Sequence, residues 1–317
     1  MRKSTILKRI SLLTLLCVLL GAFCTGCGRI KILDGGSLKK EVPETKYDEL
    51  GYGYKASIDG DQIKITYALA GFLEGQIKYL YIDQIEKTLG EEKSLATNRE
   101  KGNSYGLAYT SDFGEWNVQL DALQNYIIGH KMTLEDVNKI ETYQKDENNP
   151  SVPVESSDLS VACELNIGDF LDVVKMAYQN TVEIEATKIG LGEIVRIYNA
   201  SKNAKITLSV MAFDYNESVC YSRLESFDVK AGETEIVSLR EASKSSDQLS
   251  ETQKGVEEYE KYMIGRTASD CVNIEVYSGE DGTSLAVPLP YTDLGEVCKI
   301  DLKYYFSAVS EAYNRAA

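Results

Sequence analysis

The stretch CELNIGDFLDVVKMAY at residues 163–178 aligns without a gap to CKIDLKYYFSAVSEAY at residues 298–313. In each stretch, apolar residues recur every three to four positions, which is typical of one face of an amphipathic helix. Both stretches begin with cysteine and end with Ala-Tyr. We therefore expect two related helices with buried stripes, the first capped at its start by Asn166 and the second by Asp301.

Three further landmarks precede these helices in the same order in each half of the chain. They are Gly51-Tyr52-Gly53 and Gly190-Leu191-Gly192, Lys64-Ile65-Thr66 and Lys205-Ile206-Thr207, and Tyr126-Ile127-Ile128-Gly129 and Tyr262-Met263-Ile264-Gly265. Four landmarks in one order and at nearly constant spacing indicate an internal duplication. The sequence predicts a first module over residues 48–181 and a second over residues 188–317.

Each predicted module combines a β-hairpin with helices. In the first, alternating residues favour strands from Gln62 to Leu69 and from Ile77 to Ile82, and the second module repeats this at 204–210 and 219–224. A helix with Trp116, Leu120 and Ile127 on one face follows the first hairpin, and glycine at position 129 is expected to end it. The fold class is therefore α+β, with two tandem hairpin-helix-strand-helix modules.

Polar segments separate the helices of each module. Residues 144–157 contain two of the five prolines and predict a loop, and residues 241–254 are rich in serine and predict another.

The N-terminus has the composition of an export signal. Four basic residues precede an apolar run from Ile10 to Phe23, which is shorter than the roughly 20 residues that a bilayer-spanning helix needs. The run ends in Cys24-Thr25-Gly26-Cys27, which resembles the lipobox of bacterial lipoproteins. That resemblance implies a signal peptide at 1–26, acylation of Cys27, a tether over 27–47 and a position on the outer face of the cytoplasmic membrane. A plain signal peptide, a signal anchor or a redox C-x-x-C pair are the alternatives.

Composition narrows the function classes further. The chain carries a net charge of −15, and removal of the four basic residues before Cys27 leaves −19, a surface that repels nucleic acids. His130 is the only histidine, which disfavours His-type zinc sites and imidazole catalysis, so we expect neither a metal site nor catalytic residues. The widely spaced Cys163, Cys220, Cys271 and Cys298 are expected to be buried thiols or to form one structural disulfide.

The order of landmarks resembles that of the FMN-binding domain family, which occurs in extracytoplasmic flavin lipoproteins. A glycine pair, a hairpin, a helix ending in a Gly-basic step and a terminal Ala-rich helix carry the resemblance. That family has a Ser-Gly-Ala-Thr turn whose threonine holds FMN covalently. Here the corresponding stretches are Ser160-Val161-Ala162-Cys163 and Gly295-Glu296-Val297-Cys298. Cysteine does not replace threonine in a phosphoester, so the resemblance does not extend to covalent flavin.

The resemblance also extends to Gram-positive surface lipoproteins built from the same degenerate unit. We therefore expect a lipid-anchored binding or scaffold protein without catalysis of its own and without a resident cofactor. Its ligand would lie between hairpin and terminal helix or between the modules. The alternatives are a non-covalent flavin-binding redox accessory, with Trp116, Tyr126 and Cys163 nearest the flavin, and a structural protein that docks a surface partner.

Overall fold

The computed structural model describes residues 44–90, 94–244, 250–277 and 285–317, together with two short strands before them. Residues 1–44 and 45–317 form two separate units. In the first unit, β1 (Lys31–Leu33) pairs antiparallel with β2 (Ser37–Lys39). The predicted signal peptide and Cys27 lie outside the described residues, as does most of the predicted tether.

The first half of the second unit begins with a three-stranded meander and continues with helices. Its elements are β3 (Tyr47–Asp59), β4 (Gln62–Leu73), β5 (Gln76–Thr88), α1 (Asn98–Lys101), α2 (Trp116–Gly129), α3 (Leu134–Asn138), β6 (Thr142–Tyr143), β7 (Val152–Pro153) and α4 (Gly168–Gln179). Short 3₁₀ turns lie at 102–104, 107–109 and 158–161.

The second half contains elements of the same kinds in a similar order. They are β8 (Thr181–Ala186), β9 (Lys188–Tyr198), β10 (Asn203–Phe213), β11 (Val219–Lys230), α5 (Leu239–Lys244), α6 (Glu251–Met263), α7 (Ala268–Val272), β12 (Val276–Tyr277), β13 (Val287–Pro288), α8 (Asp293–Val297) and α9 (Lys303–Asn314). The described chain is therefore a mixed α+β structure, as the sequence predicts.

Two antiparallel sheets pack face to face at the centre of the unit. One has the strand order β5-β4-β3-β8 and the other β11-β10-β9. Alternate residues of β4, such as Ile65 and Tyr67, meet alternate residues of β10, such as Ile206 and Leu208, in one fully buried cluster. Because strand side chains alternate between faces, each sheet has a second apolar face to cover.

Helices cover the outer face of each sheet, so the unit has four layers. Leu120 and Leu123 of α2 and Val174 of α4 pack on the first sheet. Tyr259 of α6 and Val309 of α9 do the same on the second sheet. Burying a large apolar side chain of this kind contributes about 1.5–3 kcal/mol, so these three clusters define the fold. No helix in the described part of the chain is long and apolar enough to cross a membrane.

Side chains cap the open edges of β5 and β11, one outer strand of each sheet. The N–H of Ile82 in β5 donates to Gln124 Oε1 at 2.8 Å, and its carbonyl oxygen accepts from the Arg99 guanidinium. In β11, the N–H of Leu224 donates to Glu260 at 2.6 Å, and its carbonyl oxygen accepts from Arg240. Unpaired strand edges invite pairing with other chains, so these caps protect both edges.

The structure corrects several details of the sequence prediction. Each predicted hairpin is part of a three-stranded meander, because β3 precedes the first hairpin and β9 precedes the second. These two additional strands contain the glycine pairs. Helix α2 does end at Gly129, but Lys131 rather than the glycine adopts positive φ. Residues 144–157 include β7, and residues 241–254 include the end of α5 and the start of α6. The described segment before each terminal helix adds a two-stranded ribbon and a short helical turn to the predicted single strand.

The predicted caps of the terminal helices are displaced by one residue. Ile167 and Leu302 occupy the N-cap positions, and neither makes a side-chain cap. Asn166 accepts a long hydrogen bond of 3.4 Å from the N–H of Gly168. Asp301 accepts from the N–H of Lys303 at 3.0 Å and from that of Ala286 at 2.9 Å, so it also ties the helix to the preceding segment.

Candidate functional site

A cleft of about 500 Å³ lies at the start of α4, where the helix meets β4, β5 and α2. We call it the first cleft, and its lining includes Lys64, Gln84, Glu86, Tyr105, Trp116 and Asp169. Ligand sites in proteins typically have volumes of about 300–1,000 Å³. The first cleft therefore has the size of a small-molecule site.

Aromatic side chains form one wall of the first cleft. The rings of Tyr105 and Trp116 stack at 5.8 Å between centroids, and Trp116 meets Phe170 edge to face at 5.7 Å. Trp116 and Phe170 are each only 3% exposed, whereas Tyr105 is half-buried. The wall is thus held rigidly by the core beneath it, and Tyr105 is its most accessible ring.

The floor of the cleft is a chain of hydrogen-bonded polar groups. Asn98, fully buried in α1, donates to Gln84 Oε1 at 3.1 Å and to Glu86 Oε2 at 2.9 Å. Gln84 in turn donates to Thr66 Oγ1 at 2.8 Å. Since buried polar groups are costly unless they are hydrogen-bonded, this network fixes the orientation of the Glu86 carboxylate at the surface.

Ion pairs line the remaining side of the first cleft. Asp169 at the start of α4 lies 2.6 Å from Lys64 Nζ and 2.8 Å from Lys55 Nζ, and Lys145 lies 2.9 Å from Glu164. Partial burial alone would raise the pKa of Asp169, but the two lysines outweigh it and lower the pKa below 3.8. Hydrogen bonds from Ser111 and Lys145 likewise lower the pKa of Glu164. Both carboxylates are therefore ionised at neutral pH.

The three side chains predicted to lie near a flavin do not converge on one site. Trp116 lines the first cleft, whereas Cys163 is 1% exposed in the core beneath and is not part of the lining. Tyr126 lines a different cavity of about 510 Å³, together with His130, Asp136 and Ser157. Of these three residues, only Trp116 lines the first cleft.

His130 is held by its own helix. Its Nδ1 lies 2.8 Å from the carbonyl oxygen of Tyr126, and the two rings are 4.5 Å apart. Because a carbonyl oxygen can only accept, Nδ1 carries the ring proton and donates this hydrogen bond. In the second half, Arg266 occupies the matching place, donating to the carbonyl of Tyr262 at 2.7 Å and lying 3.9 Å above its ring.

The four cysteines of the described chain are free thiols, so the open question of a disulfide is answered for these residues. Burial raises the pKa of Cys163 and Cys220 to about 11 and that of Cys271 to about 12. Burial also raises the pKa of Cys298. Within the described ranges, no cluster of His, Cys, Asp and Glu has the arrangement of a metal site.

Sequence reasoning missed most of the groups that form the first cleft. Glu86 and Lys145 lie in segments without a motif, and Asn98 is buried within the capping box from Thr97 to Glu100, so these residues meet only through the tertiary structure. Alternation along β5 could have placed Gln84 and Glu86 on one face of the strand, because they are two residues apart. Comparison of the chain with protein-family models, with curated proteins and with solved structures returned no match.

Proposed function

We propose that this chain is a lipid-anchored extracytoplasmic binding protein without catalysis of its own, and that its ligand occupies the first cleft. The observation that carries the proposal is the cleft itself. An aromatic wall and a fixed polar floor converge there on a space of about 500 Å³. A concave space with a few oriented polar groups is the usual form of a ligand site.

The chemistry of the nucleophilic groups supports binding rather than catalysis. A thiol acts as a nucleophile in its deprotonated form, and burial raises the pKa of Cys163 to about 11. Asp169 and Glu164 are engaged by lysines and have lowered pKa values, which makes them poor general acids near neutral pH.

The anchor is proposed from the sequence around Cys27. Two matched variants test it, since Cys24 and Cys27 share the same segment. Cys27→Ala should abolish labelling by an alkyne fatty acid and release the chain from membranes, whereas Cys24→Ala should leave both unchanged. Equal labelling of the two variants would reject lipidation at Cys27.

The two halves are proposed to be tandem copies of one module, over residues 48–181 and 188–317. Matching contacts support this proposal. Phe72 meets Tyr178 edge to face at 5.0 Å, and Phe213 meets Tyr313 in the same way at 5.3 Å. The edge caps of β5 and β11 also match, as do capping boxes that begin at Thr133 and Thr267.

Binding can be tested with the chain from residue 28, which retains the whole compact unit from Thr45 to Ala317. Trp116 is the only tryptophan, so its fluorescence reports on the first cleft alone. When low-molecular-mass fractions of the producing cell's envelope are added separately, at least one fraction should change the Trp116 fluorescence saturably. Glu86→Gln should weaken the response, whereas Asp228→Asn on β11 should not. A fraction that the chain converts into a product would contradict the non-catalytic part of the proposal.

The alternative of non-covalent FMN binding has less support. Trp116, Tyr126 and Cys163 would need to surround one flavin, and they lie in two separate cavities and in the core. FMN titration followed through flavin fluorescence tests it directly, and saturable quenching with one site per chain would favour it over the first proposal.

A further inference from the structure

The first cleft continues into a neighbouring cavity of about 560 Å³, which Asp59, Gln62 and Lys101 also line. The two cavities share the lining residues Lys64 and Glu86. These residues lie opposite each other in the antiparallel register of β4 and β5. We call the combined space the long groove. Its extent along the sheet suits an elongated ligand better than a single compact molecule.

The long groove is lined by four lysines and four carboxylates, so its formal charges balance. Lys64 pairs with Asp169 at 2.6 Å, and Lys145 pairs with Glu164 at 2.9 Å. Lys101 donates to Asn98 Oδ1 at 3.0 Å and lies 5.5 Å from the centre of the Tyr105 ring. Because lysines and carboxylates balance in this lining, neither a phosphate nor a polycation gains a net electrostatic attraction from it.

The groups that remain for a ligand are amides, hydroxyls and carboxylate oxygens. Asn148 and Asn166 line the first cleft beside Glu86 and Thr110, and so does Asn149, whose amide nitrogen is already held by Asp146 at 2.9 Å. Amides offer both donors and acceptors, and carboxylates offer acceptors. Hydroxyl groups, which both donate and accept, are their natural complement. Tyr105 supplies a ring against which an apolar face of the ligand can pack.

An extended peptide is disfavoured by the edge of the neighbouring strand. Peptides commonly bind such sheets by adding a strand to an open edge. At Ile82 this edge is closed, because Gln124 takes its N–H and Arg99 takes its carbonyl oxygen. Strand pairing is therefore blocked at Ile82, which favours recognition of the ligand through side chains.

From these observations, and resting on the proposed binding function, we infer that the long groove binds a neutral oligosaccharide. A chain of sugar units is elongated, uncharged and rich in hydroxyls, and each unit has an apolar face. The carboxylate of Glu86, held by Asn98 at 2.9 Å, is the central acceptor for its hydroxyls.

We expect each chain to bind one oligosaccharide, because the second half of the chain has different side chains at the positions that line the first cleft. The position that corresponds to Phe170 holds Tyr305, which is 1% exposed, and that of Asp169 holds Tyr304, whose hydroxyl lies 3.1 Å from that of Tyr198. Ile300 packs so closely on α6 that a Cβ at Gly255 would lie 2.9 Å from it. Tyr304 and Tyr305 thus replace the carboxylate and the ring of the first cleft with larger side chains, so the second half does not repeat the lining of the first cleft.

A glycan array probed with the chain from residue 28 tests the inference. The array should carry neutral glucose, N-acetylglucosamine, galactose and mannose oligomers beside acidic glycans. Binding should be confined to neutral oligomers, and titration of Trp116 fluorescence should give one site per chain. Glu86→Gln, at an exposed position that folding tolerates, should weaken the affinity about tenfold or more. Asp228→Asn is the matched control and should change the affinity less than twofold.

Other outcomes separate the ligand class from the binding function. Binding to acidic glycans alone, or to no glycan, overturns the oligosaccharide inference. If Trp116 then responds to blocked neutral tetrapeptides or to FMN, and Glu86→Gln weakens that response, the binding function stands with a different ligand. If it responds to none of these probes or to envelope fractions, the binding function fails as well.

Discussion

Gly51 lies directly beneath α4, so closely that a Cβ at this position would be 2.0 Å from the carbonyl oxygen of Ala177. Gly190 has the same relationship to Ala312 of α9, at 1.9 Å. Real Cβ atoms do not approach a carbonyl oxygen to such distances. Glycine is therefore required at both positions because it lets a helix backbone rest directly on a strand.

Alanine at either glycine should destabilise the chain. Gly51→Ala and Gly190→Ala must each push a terminal helix off its sheet, and overpacking of this kind costs about 1–3 kcal/mol or more. Gly129 is the matched control, since an added Cβ there meets no atom within 4 Å and its φ is not positive. Urea unfolding should show large losses for the first two variants and none for Gly129→Ala. Equal effects at all three glycines would contradict the close packing.

The edge caps should contribute strongly to stability. Arg99→Ala would leave the Ile82 carbonyl oxygen without its donor and Asp121 without its ion-pair partner, at a cost of about 2–4 kcal/mol. Arg240→Ala should lower the free energy of unfolding by a similar amount, because the Leu224 carbonyl oxygen and the Glu260 carboxylate lose their contacts with the guanidinium. Both should also promote dimers through the opened edge, which sedimentation can measure. Lys139→Ala, which breaks only the exposed pair with Glu135, should change neither quantity.

Arg315 joins the last helix to both sheets. Its guanidinium binds Glu193 through both carboxylate oxygens, at 2.5 and 2.6 Å, and it also reaches Glu100 and Tyr81. Burial raises the pKa of Glu193, and Arg315 opposes that rise. Arg315→Met should therefore cost about 3–5 kcal/mol, because it leaves a buried carboxylate unpaired.

The loss of unfolding free energy in Arg315→Met should grow as the pH rises. A carboxyl group with a raised pKa in the folded state stabilises the fold below its unfolded pKa, and that contribution disappears as the pH rises through the folded value. Adding Glu193→Gln removes the titrating group and should restore most of the stability at pH 8. Urea unfolding at several pH values measures both effects, and a pH-independent loss in the single variant would contradict this account.

For Asp169 we expect the opposite pH dependence of the free energy of unfolding. Its pKa is lowered below 3.8 by Lys55 and Lys64 against the effect of burial, so it stabilises the fold above that value. The contribution, about 1 kcal/mol or less because the lysines are partly exposed, is lost as the pH falls through the folded pKa. Asp169→Asn should therefore lower stability at pH 7 and not at pH 2. Asp172→Asn, which keeps the pair between Lys64 and Asp169, should have the smaller effect.

The helices and strands were largely predictable because their side-chain periodicity is strong. The stripe at Trp116, Leu120 and Ile127 is buried as expected, and the alternation in Gln62–Leu69 belongs to β4. Strand β3 was missed because its glycines and tyrosines do not alternate clearly in polarity. The N-cap predictions failed because Ile167 and Leu302 begin their helices through packing rather than through a polar side chain.

The first cleft was mostly beyond sequence reasoning. Trp116 was named through the resemblance to the FMN-binding domain family, and that resemblance does not include its ring partners Tyr105 and Phe170, which come from segments far apart in the chain. The pairing of Lys64 with Asp169 depends on how α4 crosses β4, and periodicity does not determine this. The hypothesis that Tyr126 and Cys163 lie beside a flavin requires both residues to share one site with Trp116. In the fold, Tyr126 lines a different cavity and Cys163 lies in the core.

The most direct test of the central claim is native mass spectrometry of the chain isolated gently from the membranes of its own cells. The wild-type chain should include a population heavier than the lipidated chain by one non-covalent ligand, released on denaturation and reduced in Glu86→Gln but not in Asp228→Asn. A wild-type chain that carries no such ligand, or one retained equally by Glu86→Gln, would contradict the assignment of the first cleft as a binding site.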